Sequence, residues 1–389
     1  MVMSCRTDTA AEMDRRMTVT AGPRRRRALT ATWLISIVLF ATLQTTSAHE
    51  TAIPDPHTDM PGADWVIDAW RTYASKFISP DGRVIDDANG GISHSEGQGY
   101  AMLIAVRAAN RAGFDRLWTW TAANLEVTGD HLAAWRWDPA HEPHVADRNN
   151  ATDGDLLIAW ALAEAGAKWD IPAYTDAARG IADAVGIRAA IPSRFGPLLL
   201  PGAQGFASGE RPDGPVVNLS YWIFPALDRL GSISHSADWS GVALSGLSFI
   251  DAARFGSSRL PSNWISLAGK APEPARGFPA VFGYDAIRIP LYLAWGRPDD
   301  VKRLAMFSSA LAHGDRPPAV IDVASGAGVE PFGGDGFRAI AALVECVVRG
   351  SKMPRDLLHI RPESYYSTSL HILALIAALD VRPACMNDQ

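Results

Sequence analysis

Three acidic residues stand where a loop passes into an apolar helical run. Glu96 lies in the segment 93–102 (SHSEGQGYAM), behind a glycine-rich turn. Asp153 lies in 151–155 (ATDGD), and Asp285 lies in 282–288 (FGYDAIR). Two carboxyl groups in different protonation states, one donating a proton and one ionised, are what hydrolysis of a glycosidic bond requires. The three segments are therefore candidates for one acid–base site.

For Glu96 the structural alternative is a capping box. Ser93 would cap the helix, and Glu96 would bind back to the amide of Ser93, which requires no catalysis. Gly97 and Gly99 argue against this interpretation because glycine is a poor helix former. Glycine is expected in such a first turn where a large ligand must approach the backbone.

The two aspartates have structural alternatives as well. Asp153 could be a helix cap, with Asp155 as a first-turn acid that the helix dipole favours. Residues two apart do not share a helix face, so at most one is expected to point into a cleft, and the cap position favours Asp153. Asp285 could cap its helix and form an i,i+3 ion pair with Arg288, worth a few tenths of a kcal/mol. The functional alternative is a general base whose charge Arg288 holds in place.

The elements that carry these residues are predicted to be helices. Apolar residues recur at helical spacing in segments of about 10 to 18 residues, separated by loops rich in glycine and proline. About a dozen helices in one domain predict an all-α fold, an (α/α)6 barrel, whose inner helices place their N-termini at one end; an open α-solenoid is the alternative. The predicted helices are 64–77, 100–109, 114–125, 155–169, 172–185, 219–230, 238–255, 285–296, 299–312, 336–349 and 366–379.

The N-terminal 48 residues have the pattern of an export signal. Arg24 to Arg27 form a basic block, 29–43 is an apolar run shorter than a membrane span, and Ala48 ends a candidate cleavage site. We expect an exported protein, periplasmic or secreted, with 49–62 as a leader and 63–385 as a single catalytic domain. An uncleaved anchor is the alternative, and the arginine block leaves the choice between general and twin-arginine export open.

Charge and cysteine content narrow the choice of partners. Without residues 1–48 the chain has 36 − 7 = 29 basic and 42 − 3 = 39 acidic residues, a formal charge of −10. This charge argues against nucleic acid or an anionic membrane as a partner. The thirteen tryptophans are compatible with either a sugar-binding cleft or an ordinary core. Cys346 and Cys385 could pair in an oxidising compartment or remain thiols. Since no metal-ligand spacing occurs, neither a metal nor a cofactor is expected.

Together these segments resemble glycoside hydrolase family 8. The run 151–169 (ATDGDLLIAWALAEAGAKW) closely resembles the signature of that family. By the same resemblance Glu96 would be the proton donor and Asp285 the catalytic base. Segment 218–222 (NLSYW) would place Tyr221 near the scissile sugar. Trp135 and Trp137 match a segment that supplies one stacking tryptophan, and the choice between the two stays open.

The resemblance implies an (α/α)6 barrel that hydrolyses internal β-1,4-glucosidic bonds with inversion. Within the family, 198–202 (LLLPG) looks most like the periplasmic endoglucanases that accompany bacterial cellulose synthesis. A β-1,4-glucan chain is then the expected substrate, a cellulose synthase complex a candidate partner, and a monomer the expected state. Asp153, Tyr284 and Arg288 would hold the sugar, and Asp153 would tune Glu96, although it has also been treated as a nucleophile. The alternatives are chitosan or xylan as substrate, a non-catalytic glucan-binding subunit, and a polysaccharide lyase, which the acidic charge disfavours.

Overall fold

The computed structural model describes residues 64–311 and 318–386, so the predicted signal peptide and leader lie outside the described residues. Within them the chain forms eleven α-helices, close to the dozen predicted. The helices are α1 Asp64–Phe77, α2 Ser95–Arg107, α3 Arg111–Asn124, α4 Thr152–Trp169, α5 Pro172–Arg188, α6 Phe224–Gly231, α7 Trp239–Ala252, α8 Arg288–Gly296, α9 Val301–Leu311, α10 Asp335–Arg349 and α11 Tyr365–Val381. Three short 3-10 helices cover Leu219–Tyr221, Arg355–Leu358 and Pro383–Cys385.

In the described part of the chain, ten short strands lie in the loops and form four small antiparallel sheets. The sheet orders are β1-β2, β3-β4, β5-β6-β7 and β10-β9-β8. The strands are β1 Ser93–His94, β2 Arg136–Trp137, β3 Ala190–Ile191, β4 Leu198–Leu199, β5 Val216–Val217, β6 Ile265–Ser266, β7 Glu273–Pro274, β8 Val281–Phe282, β9 Ala319–Asp322 and β10 Gly328–Pro331. Two of these strands, β1 and β8, lead directly into the segments that carry Glu96 and Asp285.

Four helices form the centre of the molecule. Nearly every residue of α2, α4, α8 and α11 is buried, because each helix is apolar around most of its circumference. The helices α3, α5 and α9 pack on α2, α4 and α8. The N-terminal ends of the four central helices meet at one end of the molecule, as an (α/α)6 barrel requires. The predicted fold class is thus confirmed, and the alternative of an open α-solenoid was wrong.

Small residues let the central helices come together. A side chain at Gly99 would lie 2.5 Å from Leu157 Cβ on α4, and one at Gly154 would lie 2.1 Å from Ser95 Oγ on α2. One at Gly97 would lie 3.1 Å from the ring of Tyr365. The expectation that these glycines admit a ligand is therefore wrong, since protein side chains occupy the space.

Two predicted helices begin three or more residues later than the sequence suggests, and proline explains both. In 219–230, Pro225 has no amide proton to donate to the carbonyl of Tyr221, so a 3-10 turn ends there and α6 begins at Phe224. In 285–296, Pro290 likewise cannot donate to Ala286, whose carbonyl accepts from Ile289 instead at 3.0 Å. Asp285 consequently lies in a turn before α8.

At the other end of the barrel, Cys346 and Cys385 are joined by a disulfide, which settles the alternative that the sequence left open. The bond links the end of α10 to the segment after α11 and so fixes the C-terminal segment to the barrel. In residues 64–311 and 318–386 no helix is both long enough and apolar enough to cross a membrane.

Candidate active site

Arg288 lies at the centre of the site and binds all three predicted carboxylates. Its guanidinium is completely buried. Nη2 lies 2.8 Å from Asp285 Oδ1, Nη1 lies 2.9 Å from Asp153 Oδ2, and Nη1 also contacts Glu96 Oε1. The ion pair with Asp285 was predicted. It is not the weak surface pair that the local spacing suggested, because the same arginine joins three helix ends.

Glu96 is held by one oxygen only. Oε1 contacts Arg288 and accepts a hydrogen bond of 2.7 Å from the hydroxyl of Tyr100, one helical turn later. Oε2 is buried and has no hydrogen-bond partner among the described residues. The capping box is wrong, since Ser93 belongs to β1 and donates to the carbonyl of Val84. Glu96 therefore has one oxygen held by protein groups and one that is not.

Asp153 lies in the first turn of α4, two residues after the cap position. The cap prediction is wrong because Ala151 occupies that position, although Asp153 does point into the site as expected. Burial, together with the neighbouring Glu96 carboxylate, raises the pKa of Asp153 to about 6. Asp155 points away and accepts 2.8 Å from the amide of Ala133, and burial raises the pKa of Asp155 as well.

Aromatic rings surround the carboxylates. Tyr221 is buried, and its ring centre lies 5.8 Å from the guanidinium carbon of Arg288. The ring of Tyr284 packs edge-on against Phe332, with centres 5.1 Å apart, and the carbonyl of Tyr284 accepts 2.7 Å from the hydroxyl of Tyr366. Burial raises the pKa of Tyr284 to about 12, so this phenol stays neutral. Tyr221 therefore lies beside the carboxylates and Arg288, whereas the ring of Tyr284 contacts Phe332; that the two tyrosines hold the sugar stays a prediction.

The two candidate tryptophans lie beside the start of α2. Trp137 pairs with Ser93 in the β1–β2 sheet, and the carbonyl of Trp135 accepts from the amide of Ser95 at 3.2 Å. Trp135 is 5% exposed. Trp137 is more open, but the guanidinium of Arg83 lies 4.7 Å from its ring centre. Which tryptophan stacks on a sugar stays a prediction.

Sequence reasoning missed the tyrosines of the inner wall. Tyr100 binds Glu96, and its hydroxyl lies 3.1 Å from that of Tyr292 on α8. The i,i+4 spacing of Glu96 and Tyr100 was the available signal. No local pattern points to Tyr292, which lies 192 residues after Tyr100 in the chain and meets it only in the folded structure.

A profile of the family described as "Glycosyl hydrolases family 8" matches residues 44–379. The chain belongs to this family. A "Probable endoglucanase" of Novacetimonas hansenii is 38% identical over 324 residues, which is 82% of this chain and 92% of the relative. An "Endoglucanase" of Cellulomonas uda is 40% identical over 235 residues, or 60% of this chain and 65% of the relative.

Solved structures of family members agree with the fold. The endoglucanase Cel10 of Klebsiella pneumoniae has a TM-score of 0.73 at 34% identity, covering 81% of this chain and 100% of that chain. The endo-beta-1,4-glucanase CMCax of Acetobacter xylinum has a TM-score of 0.73 at 36% identity, covering 82% and 99%. The family resemblance that the three acidic segments suggested is confirmed.

Proposed function

We propose that this chain is an inverting endo-β-1,4-glucanase in which Glu96 is the general acid and Asp285 the general base. The observation that carries the proposal is the binding of three carboxylates from three helix ends to one buried arginine, with one oxygen of Glu96 left without a hydrogen-bond partner among the described residues. Membership of glycosyl hydrolase family 8 and the endoglucanase relatives support the reaction.

The acid step uses the pair formed by Glu96 and Asp153. Both contact the same nitrogen of Arg288, and because the pKa of Asp153 is raised to about 6, the pair holds a proton in mildly acidic solution. With that proton on Oε2, Glu96 donates it to the glycosidic oxygen as the bond to the anomeric carbon breaks. Asp153 then holds the sugar at the cleavage site.

The base step uses Asp285. Its carboxylate is held by the other terminal nitrogen of Arg288, at 2.8 Å, which favours the ionised form. A water molecule attacks the anomeric carbon from the face opposite to the leaving oxygen, and Asp285 takes its proton. Glu96 ends ionised and Asp285 ends protonated, and exchange with solvent restores both. Tyr221 and Tyr284 hold the sugar beside these groups.

Two substitutions test these roles. We expect Glu96→Gln and Asp285→Asn to abolish release of reducing ends from carboxymethylcellulose while cello-oligosaccharide binding, measured by calorimetry, persists. Asp155→Asn is the matched control, since this buried aspartate lies on α4 outside the site. Undiminished turnover by either site variant would remove that residue from its role.

The anomer that appears first in proton NMR tests the stereochemistry. The α-anomer is expected. If the β-anomer came first, one aspartate, Asp153 above all, would be a nucleophile, and the role of Asp285 would be wrong. Faster release from chitosan or xylan than from carboxymethylcellulose would favour those substrates. Glucan binding without any release would favour the non-catalytic subunit.

We also propose that the protein is exported and acts on glucan near a cellulose synthase. The export pattern of residues 1–48 supports this, as does the disulfide, because such bonds persist in oxidising compartments. Intact-mass analysis of protein from the periplasm or the medium is expected to give a chain beginning near His49 without free thiols. A full-length, reduced chain in the cytoplasm would contradict the proposal.

A further inference from the structure

The turn that carries Asp285 is held by a side chain from a distant segment. Asn263, two residues before β6, is 3% exposed. Its Oδ1 accepts from the amide of Gly283 at 2.9 Å and from the amide of Ala286 at 3.1 Å. These amides lie on either side of Asp285, so one oxygen holds the backbone before and after the base.

Further contacts fix Asn263 against this turn. The backbone amide of Asn263 donates to the carbonyl of Val281 at 2.8 Å, which ties the segment of Asn263 to β8. A side chain at Gly283 would lie 3.0 Å from Asn263 Nδ2, so the amide group fits closely over that glycine. Since α8 begins only at Arg288, the helix itself does not fix the conformation of the turn.

The chemical nature of Asn263 carries a second argument. A carboxylate of the same shape could also accept both backbone amides, so these two hydrogen bonds alone do not require an amide. Asp285 already lies among other titratable and charged groups, and a single buried cation serves all three carboxylates. Those groups are Arg288 on α8, Glu96 on α2, Asp153 on α4, Tyr221 before α6 and Tyr366 on α11. A fourth carboxylate would add uncompensated negative charge beside the base.

We propose that Asn263 is the positioning residue for the catalytic base: it fixes the turn around Asp285, and its neutral amide keeps additional negative charge away from Asp285. This inference rests on the proposed role of Asp285. It predicts that the two properties of Asn263, its hydrogen-bond acceptor and its neutrality, can be removed separately.

The experiment compares Asn263→Ala, Asn263→Asp and a matched control, Asn110→Ala. Asn110 also accepts a backbone amide, that of Gly113 at 2.7 Å, but at the start of α3. Losing the acceptor should lower kcat roughly 10- to 100-fold in Asn263→Ala with KM nearly unchanged, because the base is misplaced. Asn263→Asp should keep both hydrogen bonds from the backbone amides but move the acidic limb of kcat/KM up by about 1 pH unit. Asn110→Ala should lower only the melting temperature.

The outcomes separate this inference from the proposed function. A wild-type kcat in Asn263→Ala, or an unshifted acidic limb in Asn263→Asp, would overturn the inference while an inactive Asp285→Asn still supported the base. An active Asp285→Asn would instead refute the base assignment itself. If Asn263→Ala does not fold, the acidic limb of Asn263→Asp decides, because that variant retains the hydrogen-bond acceptor.

Discussion

Replacing Arg288 by methionine should destabilise the fold by an amount that depends on pH. Arg288 is completely buried, and the side chains of Glu96, Asp153 and Asp285 that it binds are 4%, 2% and 5% exposed. Breaking a buried ion pair costs about 3–5 kcal/mol, because it leaves a charge without compensation. The three carboxylates cannot all remain ionised around a methionine, so the cluster must bind at least one additional proton.

The pH dependence follows from that proton. Without the guanidinium, the folded-state pKa of a carboxyl in the cluster rises above its unfolded value of about 4. A group with a raised folded pKa loses stability as pH rises through the interval between the two values. One additional proton bound at pH 7 therefore costs about 1.4 × (7 − 4), or about 4 kcal/mol, and almost nothing at pH 4. This cost agrees in magnitude with the cost of breaking a buried ion pair.

Urea unfolding, followed by tryptophan fluorescence between pH 4.5 and 7.5, measures this difference. The loss of unfolding free energy in Arg288→Met should grow by about 1.4 kcal/mol for each pH unit. Arg303→Met is the matched control, since Arg303 also binds two carboxylates, Asp251 and Asp300, but at the surface. That variant should lose less than about 1 kcal/mol. A loss in Arg288→Met that is small, or that does not change with pH, would refute the reasoning.

Two further predictions concern stability. The folded pKa of Asp153 is about 6, above the unfolded value, so wild-type stability falls as pH rises from 4 toward 7. Asp153→Asn should remove this loss. In urea titrations its unfolding free energy, relative to wild type, should rise by up to roughly 3 kcal/mol between pH 4 and pH 7, while turnover falls. A difference between the two proteins that is the same at both pH values would count against it. Replacing Cys346 and Cys385 by serine removes a disulfide between residues 39 apart and should lower the unfolding free energy by about 4 kcal/mol. It should not change kcat, since the bond lies at the ends of α10 and α11 that are far from the site. An altered kcat in the folded variant would contradict this.

Most helices could be predicted from the sequence because their apolar spacing is strong. α1 matches residue for residue, and the predicted and observed bounds of α7, α9, α10 and α11 differ by at most three residues. The errors lie where a local signal competes with distant contacts. Ser93 has the spacing of a cap but is drawn into β1, whose partner β2 lies more than forty residues later.

The site could be predicted only in part for the same reason. The position of the three acidic residues before apolar runs was enough to predict them as site residues. Nothing near them in the sequence indicated that one arginine would bind all three. Tyr292 and Asn263 reach the site through packing and through a side chain from another loop. Such contacts depend on the closed barrel and have no periodic signal.

The division of the donors of Arg288 explains how similar carboxyl groups can take different roles. The helix dipole is positive at the N-terminus and favours ionisation of every nearby carboxylate, so it cannot distinguish a general acid from a general base. The guanidinium can, because its two terminal nitrogens are used unequally. Nη2 is given to Asp285, whereas Nη1 is shared by Glu96 and Asp153. The shared nitrogen leaves two negative charges on one donor, which favours keeping a proton in that pair. In the proposed mechanism Asp285, which has a nitrogen of its own, is the group that receives a proton from water.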